Sequence, residues 1–483
     1  MSIRPTLITI GLLLLCSCSS IKTQPSSEAR LDANRQQLHD SLNSHDSLNS
    51  HGSLENKEII IEPWWHQFEH AQLNQLIKQG LTSNFSLQAA LARYDSALQE
   101  KPLIRSRRLP ELNIDGGWNK IAVDNGNRFT RYDLDLTTSW QPDFFKRLRN
   151  ATQRAELNAL SQHENVIGLQ LSLSGSIAST YFSILSENQR IALLESQAQL
   201  DSKLEKLLSL RFKQGIGNQV DVLRQQAQVL DSQKRIPLAK ARAAQLENQL
   251  DTLLGFEPDN QPRILSTTPF LSPNENSPIT TLPTSLLLDR PDLRALNASL
   301  AAADANQDIL DTNYFPSFDL IGRLGFRKNI EFNSTVASLN AGFMQPILDW
   351  ERRKAERHQG QQAYQAQLMA FTQAYLDAIE EVSNLIIAEH HQSLFLSTLE
   401  QQAEVLQRTL KASEERYQQG IDNYLGVIDA TRELKNSERD LIAERLSLIQ
   451  TRIQLQLALG SSIPDNGNPE EQIEHAPQTE HAP

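Results

Sequence analysis

The residues of this chain that could do chemistry are few, and their spacing argues against catalysis. Glu389-His390-His391 gathers three ligand-type side chains, but without the spacing of a metal set, in a stretch whose pattern is a long polar-faced helix. Gly215-Ile216-Gly217 is a lone GxG at a helical turn with no strand before it, which is a weak nucleotide signal. There is no HExxH, no GxSxG and no Walker loop. Asp429 and Arg432 are three residues apart, a spacing that by itself describes ordinary charge on a helix surface. The sequence therefore reads as a non-enzyme with no metal site and no cofactor.

One position does carry a chemical expectation. Arg4 gives a positive start, Leu7 to Leu15 form an apolar run of secretory-signal length, and Leu15-Cys16-Ser17-Cys18 follows. This resembles a lipobox. Cleavage would fall before Cys18, and its thiol would carry a diacylglyceryl group; an ordinary signal with a nearby small-residue cleavage site is the alternative. The chain has 2 cysteines, and both lie here, so the body has neither disulfides nor a cysteine-based metal site. From residue 18 to 62 the chain is polar and contains the tandem HDSLNS-HDSLNS-HGSLEN from His39. It has too little apolar area to order itself and reads as a tether rather than a histidine metal tract.

The elements around these residues come in two copies. Residues 211–255 lie over 416–460 without a gap at an offset of 205, with 12 identical positions of 45, among them Gly215/Gly420, Asn218/Asn423 and Gly255/Gly460. That period is far too long for a solenoid repeat. It is a duplicated half. In each copy two long helical segments, about 145–209 then 219–254 and about 347–414 then 423–459, flank the glycine at which the chain can reverse. Leu396, Leu399, Ala403, Leu406, Leu410, Ser413 and Tyr417 step by three and four, the spacing of a coiled-coil seam. A seven-spaced column recurs in both copies, from Val222 to Leu250 and from Val427 to Leu455. Pro237, opposite Ile442, is expected to kink the first copy's return helix.

Before each helical pair comes a single helix, about 74–108 and 285–313, and then a hairpin, about 111–141 and 317–346. Leu112, Ile114, Gly116 and Trp118 alternate with Asn113, Asp115, Gly117 and Asn119; Phe318, Leu320, Gly322, Leu324 and Phe326 alternate with Ser317, Asp319, Arg323 and Arg327. Period-two runs of about ten residues, apolar on one face and polar on the other, suit strands that cross a membrane. Soluble hairpins on a core are the alternative. Four strands cannot close a barrel and an open edge in lipid is forbidden, so spanning would require several chains to pool strands. Hydrophobic residues make up 39% and the net charge is −12. No run reaches the length of a spanning helix, and the charge argues against a nucleic-acid partner.

The chain resembles the outer membrane factors, the TolC-like channels, and within them the lipid-anchored OprM- and NodT-like branch. The resemblance covers nearly everything from Trp64 to Gly460. It rests on the motif at Cys18, the Trp64-Trp65 opening, Arg290-Pro291-Asp292-Leu293, Met344-Gln345-Pro346-Ile347 and both RxxxG…LG segments. It implies a mixed α and transmembrane-β fold. Three chains of four strands would close a twelve-stranded outer-membrane β-barrel, continued by a long periplasmic α-helical barrel built from the two repeats. Residues 1–17 would be the lipoprotein signal, 18–62 the tether, 63–255 and 284–460 the repeats, 256–283 an equatorial linker and 461–483 a polar tail.

In function the resemblance implies the exit duct of a tripartite efflux system, with a periplasmic membrane-fusion adaptor and an inner-membrane pump of the resistance-nodulation-division type as partners. A duct for secreted protein or peptide, or a coiled-coil structural lipoprotein, are the alternatives. By motif match, Leu425 is the apolar constriction of a gate, Asp429 its acidic ring and Arg432 a charge partner. Gly215, Gly217, Asp221, Gly420, Asp422 and Asn423 mark the tip turns where the adaptor docks. Some relatives carry a further aspartate at the position of Gly426, which this chain lacks.

Overall fold

Residues 64–122, 128–259, 261–263, 284–328 and 333–460 are described in a computed structural model. The signal, Cys18, the hexad tether, the 124–127 turn, most of the 256–283 linker and the tail from 461 lie outside them. A 3-10 turn at Trp64–Phe68 leads into α1 (Ala71–Ser83) and α2 (Phe85–Ser106), then β1 (Glu111–Ala122), β2 (Arg128–Trp140), α3 (Arg147–Lys213) and α4 (Gln219–Leu254). A second 3-10 turn at Thr284–Asp289 opens the second half: α5 (Pro291–Thr312), β3 (Ser317–Lys328), β4 (Asn333–Met344), α6 (Arg352–Gln418) and α7 (Tyr424–Ala458). From α2 onward the halves match element for element, displaced by 204 to 206 residues.

The four strands form one antiparallel sheet in the order β1-β2-β3-β4. The central β2–β3 pairing, with Leu136 opposite Leu324 and Asp135 opposite Gly325, joins the two repeats. β1 and β4 are left as edges. The alternation read from sequence survives in register: Leu112, Ile114 and Trp118 share a face with Leu134, Tyr132, Phe326 and Leu339, and most of these large apolar side chains are exposed. The other face carries Asp115, Asp133, Asp135, Arg323 and Arg327. There Arg323 holds Asp135 through Nε at 3.1 Å and Nη2 at 2.5 Å.

Each 67-residue helix, α3 and α6, extends about 100 Å at 1.5 Å per residue. Both start from a left-handed residue 205 positions apart, Lys146 at φ 61° and Glu351 at φ 66°. The second long helix therefore starts at Arg352 rather than near 347. The seam from Leu396 to Tyr417 faces inward at every member, whereas most of the intervening residues are exposed. The expected single helix over 74–108 is in fact two. Asn84 breaks it: its side chain accepts from the Leu87 amide at 3.1 Å, capping α2, and donates to the Leu253 carbonyl at 2.9 Å. α4 runs unbroken through Pro237, whose side chain is exposed.

The Trp64-Trp65 opening anchors to α3. Trp64 donates from Nε1 to Ser174 Oγ at 3.0 Å; His70 packs edge-on against Tyr181 and Phe182, and Phe68 lies tilted against Phe182. Burial there pushes the Tyr181 phenol up to about 12 and the His70 imidazole down.

At the far end the two reversals are the same motif. Ile216 donates to the Arg211 carbonyl at 3.1 Å and Ile421 to the Arg416 carbonyl at 3.0 Å, closing each helix over a left-handed glycine, Gly215 at φ +78° and Gly420 at φ +72°. A Cβ at either glycine would meet nothing within 4 Å, so the only penalty of a side chain is backbone strain, about 1 kcal/mol. Gly215→Ala and Gly420→Ala should each speed amide hydrogen exchange at Ile216 or Ile421 by roughly fivefold. Unchanged exchange would show that the turn does not depend on the left-handed glycine.

Candidate functional site

The tip residues singled out from sequence do come together. Asn218 and Asn423 occupy equivalent positions and cap α4 and α7, accepting from the amides of Val220 at 3.0 Å and Leu425 at 3.1 Å. Asp221 lies in the first turn of α4, where a carboxylate complements the helix dipole. Asp422 occupies the place of Gly217 in the first turn and accepts from Arg416 Nε at 2.6 Å. That hydrogen bond holds the Asp422 carboxyl below its ordinary range, so the contact persists at neutral pH and is lost only in strong acid. The hairpins then pack on one another through Leu208, Val222, Tyr424, Val427 and Ile428, with the Arg211 guanidinium 5.0 Å from the Tyr417 ring centre.

That cluster sets the orientation of α7. Tyr424, Val427 and Ile428 are spent on the core, which turns Leu425, Asp429 and Arg432 to the opposite face of the helix. Leu425 is 41% exposed. Arg432 Nη1 sits 3.7 Å from Asp429 Oδ1, with both side chains more than half exposed. An exposed pair of this spacing is worth only about 0.3–0.5 kcal/mol, so its contribution to the stability of one chain is small. Gly426 is exposed as well. Among the described residues no group of three or more histidine, cysteine or acidic side chains is placed to hold a metal, and Glu389 instead accepts from Arg452 Nε at 2.7 Å.

Sequence reasoning missed the buried polar group behind α7. Asp201 of α3 accepts from Lys435 Nζ of α7 and from Ser232 Oγ of α4, each at 2.5 Å on Oδ2. Gln225 of α4 donates to the Asp201 carbonyl at 3.0 Å and accepts from the Tyr424 hydroxyl at 2.8 Å. All five residues are nearly inaccessible, and burial pushes the Tyr424 phenol up. The signal was present in the stripe Val222, Gln225, Val229, Ser232, Ile236 and Ala239, which steps by three and four with two polar members. A polar residue on a buried seam fixes register. This group ties α7 to both helices of the first repeat.

Comparison with known proteins accords with this architecture. A model of outer membrane efflux proteins matches the chain twice, over residues 76–256 and 282–461. The chain belongs to the outer membrane efflux protein family. Nodulation protein T of Rhizobium leguminosarum bv. trifolii is 25% identical over 421 residues, 84% of this chain and 89% of that protein. The pyoverdine export outer membrane protein OpmQ of Pseudomonas aeruginosa is 27% identical over 420 residues, 83% of this chain and 87% of its own. Among solved structures, CusC superposes with a TM-score of 0.77 at 22% identity, covering 84% of this chain and 95% of that one. The outer-membrane channel OprN superposes with a TM-score of 0.72 at 25% identity, covering 82% and 92%. The chain is accordingly a channel protein of the outer membrane and not an enzyme.

Because Lys435 and Asp201 are both buried, removing one leaves the other charge without a partner. Lys435→Met should lower stability by about 3–5 kcal/mol, while Lys435→Met with Asp201→Leu should recover most of that loss. Thermal unfolding of the singles and the double decides it. A double-variant loss equal to the sum of the two single losses would mean that the pair is not coupled.

Proposed function

We propose that three copies of this chain close a twelve-stranded barrel, four strands each, and that their helices continue it as a periplasmic tunnel. The assembly serves as the exit duct of a tripartite efflux system, passively conducting small molecules from the periplasm or pump to the exterior. The observation that carries this reading is the sheet: two opposed faces, one apolar and one charge-paired, bounded by two unpaired edges. In a closed barrel the polar face lines the lumen and the apolar face meets lipid. The names of relatives that export pyoverdine, solvents or toluene favour small molecules over secreted protein as cargo. Cys18, by its motif, carries the lipid that anchors each chain.

The helical tips end in Gly215–Gly217 with Asp221 and in Gly420 with Asp422 and Asn423, and these turns are where a membrane-fusion adaptor and, through it, a resistance-nodulation-division pump engage. At rest the gate is the outward face of α7. Threefold symmetry brings three Leu425 side chains and three Asp429 carboxylates toward one axis. The carboxylates repel unless cations or Arg432 compensate them, so the closed state is held against a built-in opposing force. Adaptor contact then needs only to favour the splayed arrangement.

Leu425→Ala combined with Asp429→Ala should raise the single-channel conductance of the purified protein in a planar bilayer. Unchanged conductance would remove these residues from the gate.

A further inference from the structure

The outward face of the sheet holds charges that conduction does not use. Among the described side chains of β1 to β4, every acid is on the lumen face: Glu111, Asp115, Asp133, Asp135 and Asp319. The cations on that face are matched to them, Arg131 and Arg327 with Asp133 and Arg323 with Asp135. Among the described side chains, the apolar face carries two charges, Lys120 and Lys328, both exposed and both basic. No acid shares their face. Both also lie at the same end of the sheet, the end distal to the helices, where β1 turns to β2 and β3 to β4.

Register places them in an ordered patch. Tyr132 stands between Trp118 on one side and Lys328 on the other, and Lys120 sits opposite Thr130, one step beyond the Trp118–Tyr132 pair. The lysines are thus about 12 Å apart, two strand spacings across and two residues along, with Lys328 level with the Trp118–Tyr132 pair, Lys120 one step beyond it and Phe326 one step below. A lysine facing hydrocarbon is tolerated only where its amine can snorkel to the interface. The helix end of the same face has no charged side chain; it has Leu112, Trp140, Phe318 and Phe343. The two rims therefore meet different surfaces.

We infer that Lys120 and Lys328 form, on each chain, a docking site for a lipid of the outer leaflet whose headgroup carries anionic phosphate. The amines meet the phosphate, and the rings of Trp118, Tyr132 and Phe326 seat the lipid at the headgroup boundary. This rests on the reading that the apolar face meets lipid with the helices on the periplasmic side. It adds that the distal rim selects headgroup charge, which a purely apolar belt would not do.

The test compares the full-length wild-type channel with Lys120→Gln/Lys328→Gln in nanodiscs of phosphatidylcholine, with and without lipid A, by thermal unfolding. Conductance of both proteins is recorded in phosphatidylcholine bilayers. Wild type should gain several degrees on adding lipid A, and the gain should shrink at high salt because the contact is electrostatic. The double variant should lose the gain, match wild type in phosphatidylcholine alone and conduct normally. An equal gain in both proteins, or none in wild type, would overturn the lipid site. Failure of both proteins to conduct would instead overturn the channel reading.

Discussion

The whole structure depends on one constraint: in hydrocarbon, no backbone amide or carbonyl can be left unpaired. A four-stranded sheet with an apolar outward face violates it at β1 and β4. Nothing among the described residues covers those edges, because the strand order ends there and the helices depart from one end of the sheet. The solution lies in other copies, β1 of one chain pairing with β4 of the next until the ring closes. Everything else follows from that ring. Long helices leave its lower rim as a second, α-helical ring.

The duplication suits a ring, because two similar wedges per chain give six around the circle. Shared residues build the wedge: the left-handed glycines 215 and 420, the caps Asn218 and Asn423, and the left-handed starts at Lys146 and Glu351. The tip itself also differs between the copies. Asp429 stands where the first copy has Arg224, and Asp422 where it has Gly217. The buried tie is equally one-sided: Asp201, Gln225 and Lys435 correspond to Leu406, Ala430 and Leu230. The tie thus joins the repeats, with Asp201 and Gln225 from the first and Lys435 and Tyr424 from the second. A buried ion pair is a weak source of net stability, and its use here is to fix how α7 seats on α3 and α4.

Much of this was legible in the chain because periodicity reports burial directly. Alternation from Leu112 to Trp118 and the three-four seam from Leu396 to Tyr417 both fix which side faces inward, and the structure keeps them. Two features were not legible. Asn84 sits in a continuous helical pattern, and only its bond to the Leu253 carbonyl, 169 residues away, shows why the helix breaks there. The Asp201–Lys435 pair joins residues 234 apart on helices whose relative rotation no local pattern specifies. Asp429 and Arg432 were identified only through family resemblance, since their 3.7 Å contact within one chain is what any exposed i,i+3 pair would show.

The central claim is that the open sheet closes between chains, three to a ring. Native mass spectrometry of the detergent-extracted protein tests it most directly, by counting chains per particle. The account predicts a single dominant species of three chains that resists dissociation until the sheet unfolds. A stable monomer, or a ring of any other number, would contradict it.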